Sequence, residues 1–200
     1  IFQEEYSVVN NAHARVNLIG EHTDYTGGYV LPSLLNFKTI IQISQNNKKQ
    51  YQVYSENFNE QKNFTDFMKS ENIDWIDYVK GCLFVFYNEN KNIPNTNLNI
   101  FISSSIPMGR GISSSSALCV AILKTLNDFF NTQYSKKHIA ILAQKVKRNY
   151  IGVYGGIMDQ MVSSIGIARK AFFLDCLSLK YELIDIPEDW IFCLVDSAVQ

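Results

Sequence analysis

Apolar positions recur along this chain in two rhythms. Residues 37–43, "FKTIIQI", and 51–54, "YQVY", have the short, β-branched and aromatic character of strands, and the turn-rich "SQNNKKQ" joins them. In "WIDYVKGCLFVFYN", apolar residues fall at 75, 76, 79, 82, 83 and 86, close to the period of a helix. "KNIPNTN" reads as a loop and "LNIFIS" as a strand. The helical rhythm returns from Ala117 to Phe130 and again from about Lys136 to Tyr150. Ser135 is a suitable N-cap for the last of these, and Gly152 follows its end. Gly155-Gly156 interrupts the chain before a further helical stretch, Ile157 to Ile165. "KAFFLDC" and "IFCLVDS" read as closing strands. Strands and helices interleave, with hairpins early, so the pattern predicts an α+β fold, a mixed sheet packed with helices.

Composition narrows the class. Of 200 residues, 46% are hydrophobic and 13% aromatic, enough to bury a sizeable core. The net charge of -1 gives no reason to expect nucleic acid or an anionic membrane as a partner. No apolar run reaches the ~18 residues of a membrane span. The four cysteines, Cys82, Cys119, Cys176 and Cys193, stand apart in apolar surroundings without C-x-x-C spacing. They read as reduced core cysteines of a cytoplasmic protein. The apolar "WIFCLVDSAVQ" at the end looks like a core strand with nothing after it, which suggests that a larger protein continues.

Two segments do not fit a purely structural reading. In "ARVNLIGEHTDYTGGYVLP", Arg15, Glu21, His22 and Asp24 are crowded between apolar ends. In "IPMGRGISSSSALCVAILKTL", a strand ends at a proline, Gly109 and Gly111 permit a close backbone approach, and four serines lead into a helix. Free N–H groups and hydroxyls at a helix N-terminus favour an anion, so the segment has the design of a phosphate cradle. It lacks the Gly-Lys-Ser/Thr of a Walker loop and the G-x-S-x-G of a nucleophile elbow. A serine-rich linker is the plainer alternative, but a linker is not normally clamped between an apolar strand and an apolar helix.

Together these segments resemble the galactokinases of the GHMP small-molecule kinase superfamily. "RVNLIGEHTDYTGGYVLP" resembles the galactokinase signature, and "PMGRGISSSSA" the superfamily motif P-x-G-x-G-L-S-S-S-A. "GGIMDQM" is similar to the family's G-I-M-D-Q, and "WIDYVKG" to its W-x-N-Y-V-K-G. The resemblance covers essentially all of residues 1–200 and implies the GHMP kinase N-terminal domain, of ribosomal-protein-S5-domain-2-like fold. The family's third motif, from the C-terminal domain, is not in the chain. The implied activity is ATP-dependent phosphorylation of galactose at the anomeric 1-hydroxyl, by a monomeric cytoplasmic enzyme of which this segment alone is inactive. A sister kinase for N-acetylgalactosamine or arabinose, or a galactose- and ATP-binding sensor with little turnover, are the alternatives.

The resemblance also assigns residues. Asp159 becomes the catalytic carboxylate and Arg15 its counter-charge. From the residues alone, a first-turn helix acid and a surface salt bridge would serve as well. Glu21, His22, Asp24 and the backbone of Gly156 would hold the hexose, since a polyol pocket needs hydrogen-bonding groups of this kind. Gly109, Gly111, Ser113, Ser114 and Ser115 would cradle the phosphates of ATP, with Ser115 aligned to the serine that binds Mg2+. Trp75 would lie near the adenine, or else be a core aromatic on its helix. His13 and His138 read as structural. Three departures stand out: His13-Ala14 replaces the usual Pro-Gly, Arg110 replaces a small residue, and Lys147 occupies the place of a magnesium-binding glutamate.

Overall fold

The computed structural model describes residues 2 and 7–195. Eight strands form one mixed sheet: β1 (Val8–Asn17), β2 (Tyr29–Val30), β3 (Pro32–Gln45), β4 (Tyr51–Ser55), β5 (Glu60–Phe64), β6 (Leu98–Ser104), β7 (Lys170–Asp175) and β8 (Tyr181–Asp185). Four α-helices accompany it: α1 (Trp75–Glu89), α2 (Ser114–Phe129), α3 (Lys136–Lys145) and α4 (Met158–Ile165). The α+β expectation therefore holds.

The long β3 organises the sheet. It pairs antiparallel with β1 along most of its length, with β6 over residues 39–45, and with β7 at Ser33. The predicted strands at 37–43 and 51–54 both form, but they are not neighbours. β6 lies between them, antiparallel to β3 and parallel to β4, and the early hairpin is β4–β5 instead. The reason is burial: Leu98, Ile100 and Ile102 join Ile41, Ile43 and Val53 in one core, a place the polar 45–50 connection could not fill. β1, β5 and β8 were not legible as strands.

The final predicted strand is a correction. Residues 191–195 of "IFCLVDS" form no strand, and Ile191 is 90% exposed; the remaining two positions lie outside the described residues. β7 has no free edge to offer them, because β2 and β3 flank it on one side and β8 on the other. The cysteine reading is corrected in part. All four thiols are unpaired, and Cys82 and Cys119 are core residues, but Cys176 is half-buried and Cys193 is exposed.

The helices follow their patterns. α1 buries Ile76, Val79, Cys82, Leu83, Val85 and Phe86 on one face. α2 starts at Ser114, three residues before the predicted Ala117, because Ser116 is already packed inside in its first turn. α3 begins where expected, with Ser135 Oγ accepting from the His138 backbone N–H at 3.1 Å. It does not run to Tyr150 as one α-helix. From Val146 to Ile151 the chain widens into a π-helix, closed by Gly152 at φ +90°, and both Gly152 and Val153 donate to the Lys147 carbonyl. Gly81 of α1 makes room for this turn, since a Cβ there would meet Tyr150 Cδ1 at 2.8 Å and Val146 Cγ1 at 3.0 Å.

α1 also carries a buried acid. Asp74 and Asp77 form a capping box, and Asp77 further accepts from the Ser70 backbone N–H and hydroxyl at 3.0 and 3.1 Å. Burial pushes the Asp77 carboxyl up, but hydrogen bonds from the Asp74 and Ser70 amides and the Ser70 hydroxyl outweigh it, and the net shift is downward. A folded-state value below the unfolded one stabilises the fold above the unfolded value, and this is lost as pH falls through the folded value. Asp77→Asn is therefore expected to cost on the order of 1 kcal/mol at neutral pH and to flatten the loss of stability below about pH 5. Urea midpoints at neutral and acid pH measure both; parallel profiles for variant and wild type would refute this role.

Candidate active site

The site is assembled around a defect in the β1–β3 ladder. The register shifts between His13 and Arg15, a bulge of the kind that re-aims side chains beside functional sites. The structure brings Arg15 and Asp159 together: Arg15 Nε donates to Asp159 Oδ1 at 2.7 Å, and both side chains are mostly buried. Arg15 Nη1 also donates to the Gly111 carbonyl at 2.8 Å, and the Arg15 backbone N–H reaches the Ile112 carbonyl. One residue thus ties the glycine-serine loop to β1 and to the first turn of α4.

The loop is shaped for a ligand. Gly109 and Gly111 have φ of +71° and +70°, Ser113 has φ of 66°, and a Cβ at either glycine would meet open space. Conformation, not crowding, demands these glycines. Ser113 Oγ is buried without a hydrogen-bond partner, an unmet polar atom where α2 begins. Ser114 and Ser115 open into a cleft of roughly 350 Å³ whose other walls include Phe58, Ile73, Trp75, Tyr78 and Leu118. Trp75 is one of these walls and also packs, half-buried, against the core: it stacks on Phe58 at 5.7 Å, and its Nε1 donates to Glu60. The cleft couples an apolar slot to a helix N-terminus, a shape suited to a flat ring followed by an anion.

The cluster at 21–24 divides. Asp24 Oδ1 accepts from the backbone N–H groups of Ile157 and Met158 at 2.8 and 3.0 Å, capping the start of α4. Cys176 Sγ lies 3.5 Å from the same oxygen, and burial, then the Asp24 charge, push its thiol up to about 12. Gly156 packs directly on this carboxylate, where a Cβ would overlap its atoms. Glu21 and His22 are exposed on the adjoining turn, with His22 Nδ1 3.0 Å from the Tyr25 hydroxyl. The structure therefore brings Asp24 and Gly156 together and leaves Glu21 and His22 facing solvent. His13 is structural as expected, bonded to the Leu35 carbonyl at 2.8 Å, and His138 lies 3.5 Å from Glu89.

One residue of the site, Ser116, was not singled out from the sequence, and Lys147 was marked only as standing where a metal-binding glutamate is expected. Ser116 is fully buried, and its hydroxyl lies 3.5 Å from Asp159 Oδ2. Lys147 donates to that same hydroxyl at 3.1 Å. Ser116 was detectable in principle, because it stands where the superfamily motif has alanine. Arg148, beside Lys147, is turned to the Gly155 carbonyl, which it binds through Nε and Nη2.

Comparison with known proteins places this geometry. The family described as "GHMP kinases N terminal domain" matches residues 77–166, and the "Galactokinase galactose-binding signature" matches residues 1–45. A galactokinase of Pyrococcus furiosus is 43% identical over 175 residues, covering 88% of this chain and 49% of that protein. A galactokinase of Thermococcus kodakarensis is 37% identical over the same share. The chain spans about half the length of these curated relatives. Among solved structures, Lactococcus lactis galactokinase complexed with galactose superposes with a TM-score of 0.82 at 33% identity, over 92% of this chain and 48% of that one. Methanococcus jannaschii mevalonate kinase, at 18% identity, superposes with a TM-score of 0.77 over 92% of this chain and 57% of that one, and shares the fold.

Proposed function

Because the chain belongs to the GHMP kinases and carries the galactokinase galactose-binding signature, we propose that the protein containing it transfers the γ-phosphoryl group of ATP to the anomeric 1-hydroxyl of galactose. The observation that carries this reading is the Arg15–Asp159 pair, set between the glycine-serine loop and the Asp24–Gly156 contact. Phosphoryl transfer asks mainly for positioning and charge compensation. In this reading the cleft beside Trp75 receives the adenine, and the backbone of Gly109–Ser115 holds the phosphates. Asp24, Glu21, His22 and the Gly156 backbone face the sugar. Asp159 accepts the proton of the sugar 1-hydroxyl as that oxygen bonds to the γ-phosphorus, and the bond to the bridging oxygen of ADP breaks. Arg15 holds Asp159 in place and offsets the charge that develops.

The donor set does not fit a magnesium ion held by the protein. Ser115 offers one hydroxyl, Asp159 is committed to Arg15, and position 147 presents an ammonium in place of a carboxylate. Among the described residues no three His, Cys, Asp or Glu side chains gather as a metal site. Among the described residues no helix is long and apolar enough to cross a membrane. The unpaired thiols suit a reducing compartment, and the cytoplasm is proposed.

The discriminating experiment compares galactose with glucose, which differs in the orientation of the 4-hydroxyl, as phosphoryl acceptors for the intact protein. A pocket that hydrogen-bonds this hydroxyl should favour galactose by at least about 100-fold in kcat/KM. Equal values would refute a galactose-specific site. Preference for N-acetylgalactosamine or arabinose would identify a sister kinase. Lys147, standing in place of a metal-binding glutamate, favours a second reading, a sensor that binds both ligands without turnover; binding of galactose and ATP with no phosphoryl transfer to any acceptor would reveal it.

A further inference from the structure

Lys147 stands on the π-helix, half-buried, and its ammonium donates to the buried hydroxyl of Ser116 in the first turn of α2. No carboxylate among the described residues lies within ion-pair distance of it. Because the Ser116 oxygen accepts from the ammonium, its own proton is free to point at Asp159 Oδ2, 3.5 Å away. Asp159 is therefore held from both sides, by Arg15 on Oδ1 and through Ser116 on Oδ2. Arg15, Lys147 and Asp159 together carry two positive charges and one negative, a surplus of one positive charge at the N-terminus of α2. A half-buried cation with no anionic partner is costly unless a ligand supplies the anion. The helix N-terminus and the unmet Ser113 hydroxyl in the same loop point to the same kind of ligand.

We propose that Lys147 is a resident cation for the phosphates of the nucleotide, so that this site binds ATP without a divalent metal. The inference rests on the kinase reading and assigns to Lys147 the charge compensation for which the described residues offer no carboxylate ligand to a metal. The ammonium acts as a point charge on phosphate oxygens, a role lysine fills well. It also acts as a positioning residue for Asp159 through Ser116.

Titration calorimetry of the intact protein with ATP, in excess chelator and then in excess magnesium, tests this. The wild type should bind the two forms with Kd values within about threefold. Lys147→Met should weaken metal-free ATP by about 10–100-fold, the loss of one charge-assisted contact. Its galactose affinity should stay within about twofold, which also reports that the variant is folded. Lys147→Arg, which keeps the charge, should bind metal-free ATP within about threefold of wild type. Lys147→Glu should bind ATP only when magnesium is present. Metal-free ATP binding that is undetectable in the wild type, or unchanged in Lys147→Met, would overturn the proposal while leaving the kinase reading intact. A wild type that binds ATP in neither condition would overturn both.

Discussion

Asp159→Asn is expected to lower kcat of the intact protein by at least about 100-fold, while galactose affinity changes little. The substitution keeps the shape of the side chain and removes its capacity to accept a proton. Its setting sharpens the expectation. Arg15 Nε donates to Oδ1 at 2.7 Å, and an asparagine can still offer one oxygen to that donor. It cannot accept on both sides at once, so it either loses the guanidinium or faces the Ser116 hydroxyl with an amide nitrogen. The uncompensated Arg15 and Lys147 charges should leave nucleotide affinity equal or tighter. Loss of turnover with both substrates still bound, measured by pre-steady-state phosphoryl transfer and by calorimetry, is the signature. A near-normal kcat would show that Asp159 is not the proton acceptor.

Gly156→Ala is expected to destabilise the intact protein by about 3 kcal/mol, and Asp24→Ala to suppress most of that loss. The backbone at Gly156 is not left-handed, so alanine is conformationally allowed there. The requirement is for space, because the added Cβ would overlap the Asp24 carboxylate. That carboxylate cannot simply rotate away, since it holds the backbone N–H groups of Ile157 and Met158 at the start of α4. Moving it sacrifices the cap and disturbs the helix that presents Asp159. Asp24→Ala alone should cost about 1–2 kcal/mol, the worth of a lost cap. In the double variant the collision is gone, and stability should approach that of Asp24→Ala. Galactose affinity should not return, because Asp24 is proposed to face the sugar. Melting temperatures of the four proteins give the coupling; strictly additive losses would show that the two side chains do not compete for the same space.

What the sequence revealed followed local physics. The 3.6-residue rhythm located α1, because Ile76, Val79, Cys82, Leu83 and Phe86 share one buried face. Ser135 marked the start of α3 because capping is a local hydrogen bond. The strands hidden from view were those without a clean alternation: β1 carries "VVNNAHARVN", whose Asn10, His13 and Arg15 side chains bond to partners distant in the chain. The neighbour relation of β3 and β6 could not be read from either strand, since it is settled by which apolar faces fit one core. At the site, the motifs identified Arg15, Asp159 and the loop serines; the structure joins Arg15 to Asp159 and to the Gly111 carbonyl of the loop, while the serine that reaches Asp159 is Ser116. The capping work of Asp24 was invisible, because the amides it satisfies lie over 130 residues away. The π-helix was equally hidden, because its extra residue per turn leaves the apolar spacing of 136–151 close to helical.

The insertion of β6 between β3 and β4 sets a timetable for synthesis. As the chain leaves the ribosome, β3, β4 and β5 all emerge before β6, but β3 and β4 have no pairing to make with each other. The inner edges of both stay open until β6 follows, across the whole of α1 and its loops. At roughly 5–20 residues per second, the interval from Phe64 to Ser104 lasts about 2–8 s. Throughout it, two apolar strand edges are exposed to any neighbouring chain. The pairing of β1 with β3, the hairpin of β4 with β5 and the early folding of α1 can form in this interval, but none of them covers the two inner edges. Closing the sheet is thus a late, non-local event, and the phosphate loop, which begins just after β6, takes its shape only once that strand has been seated.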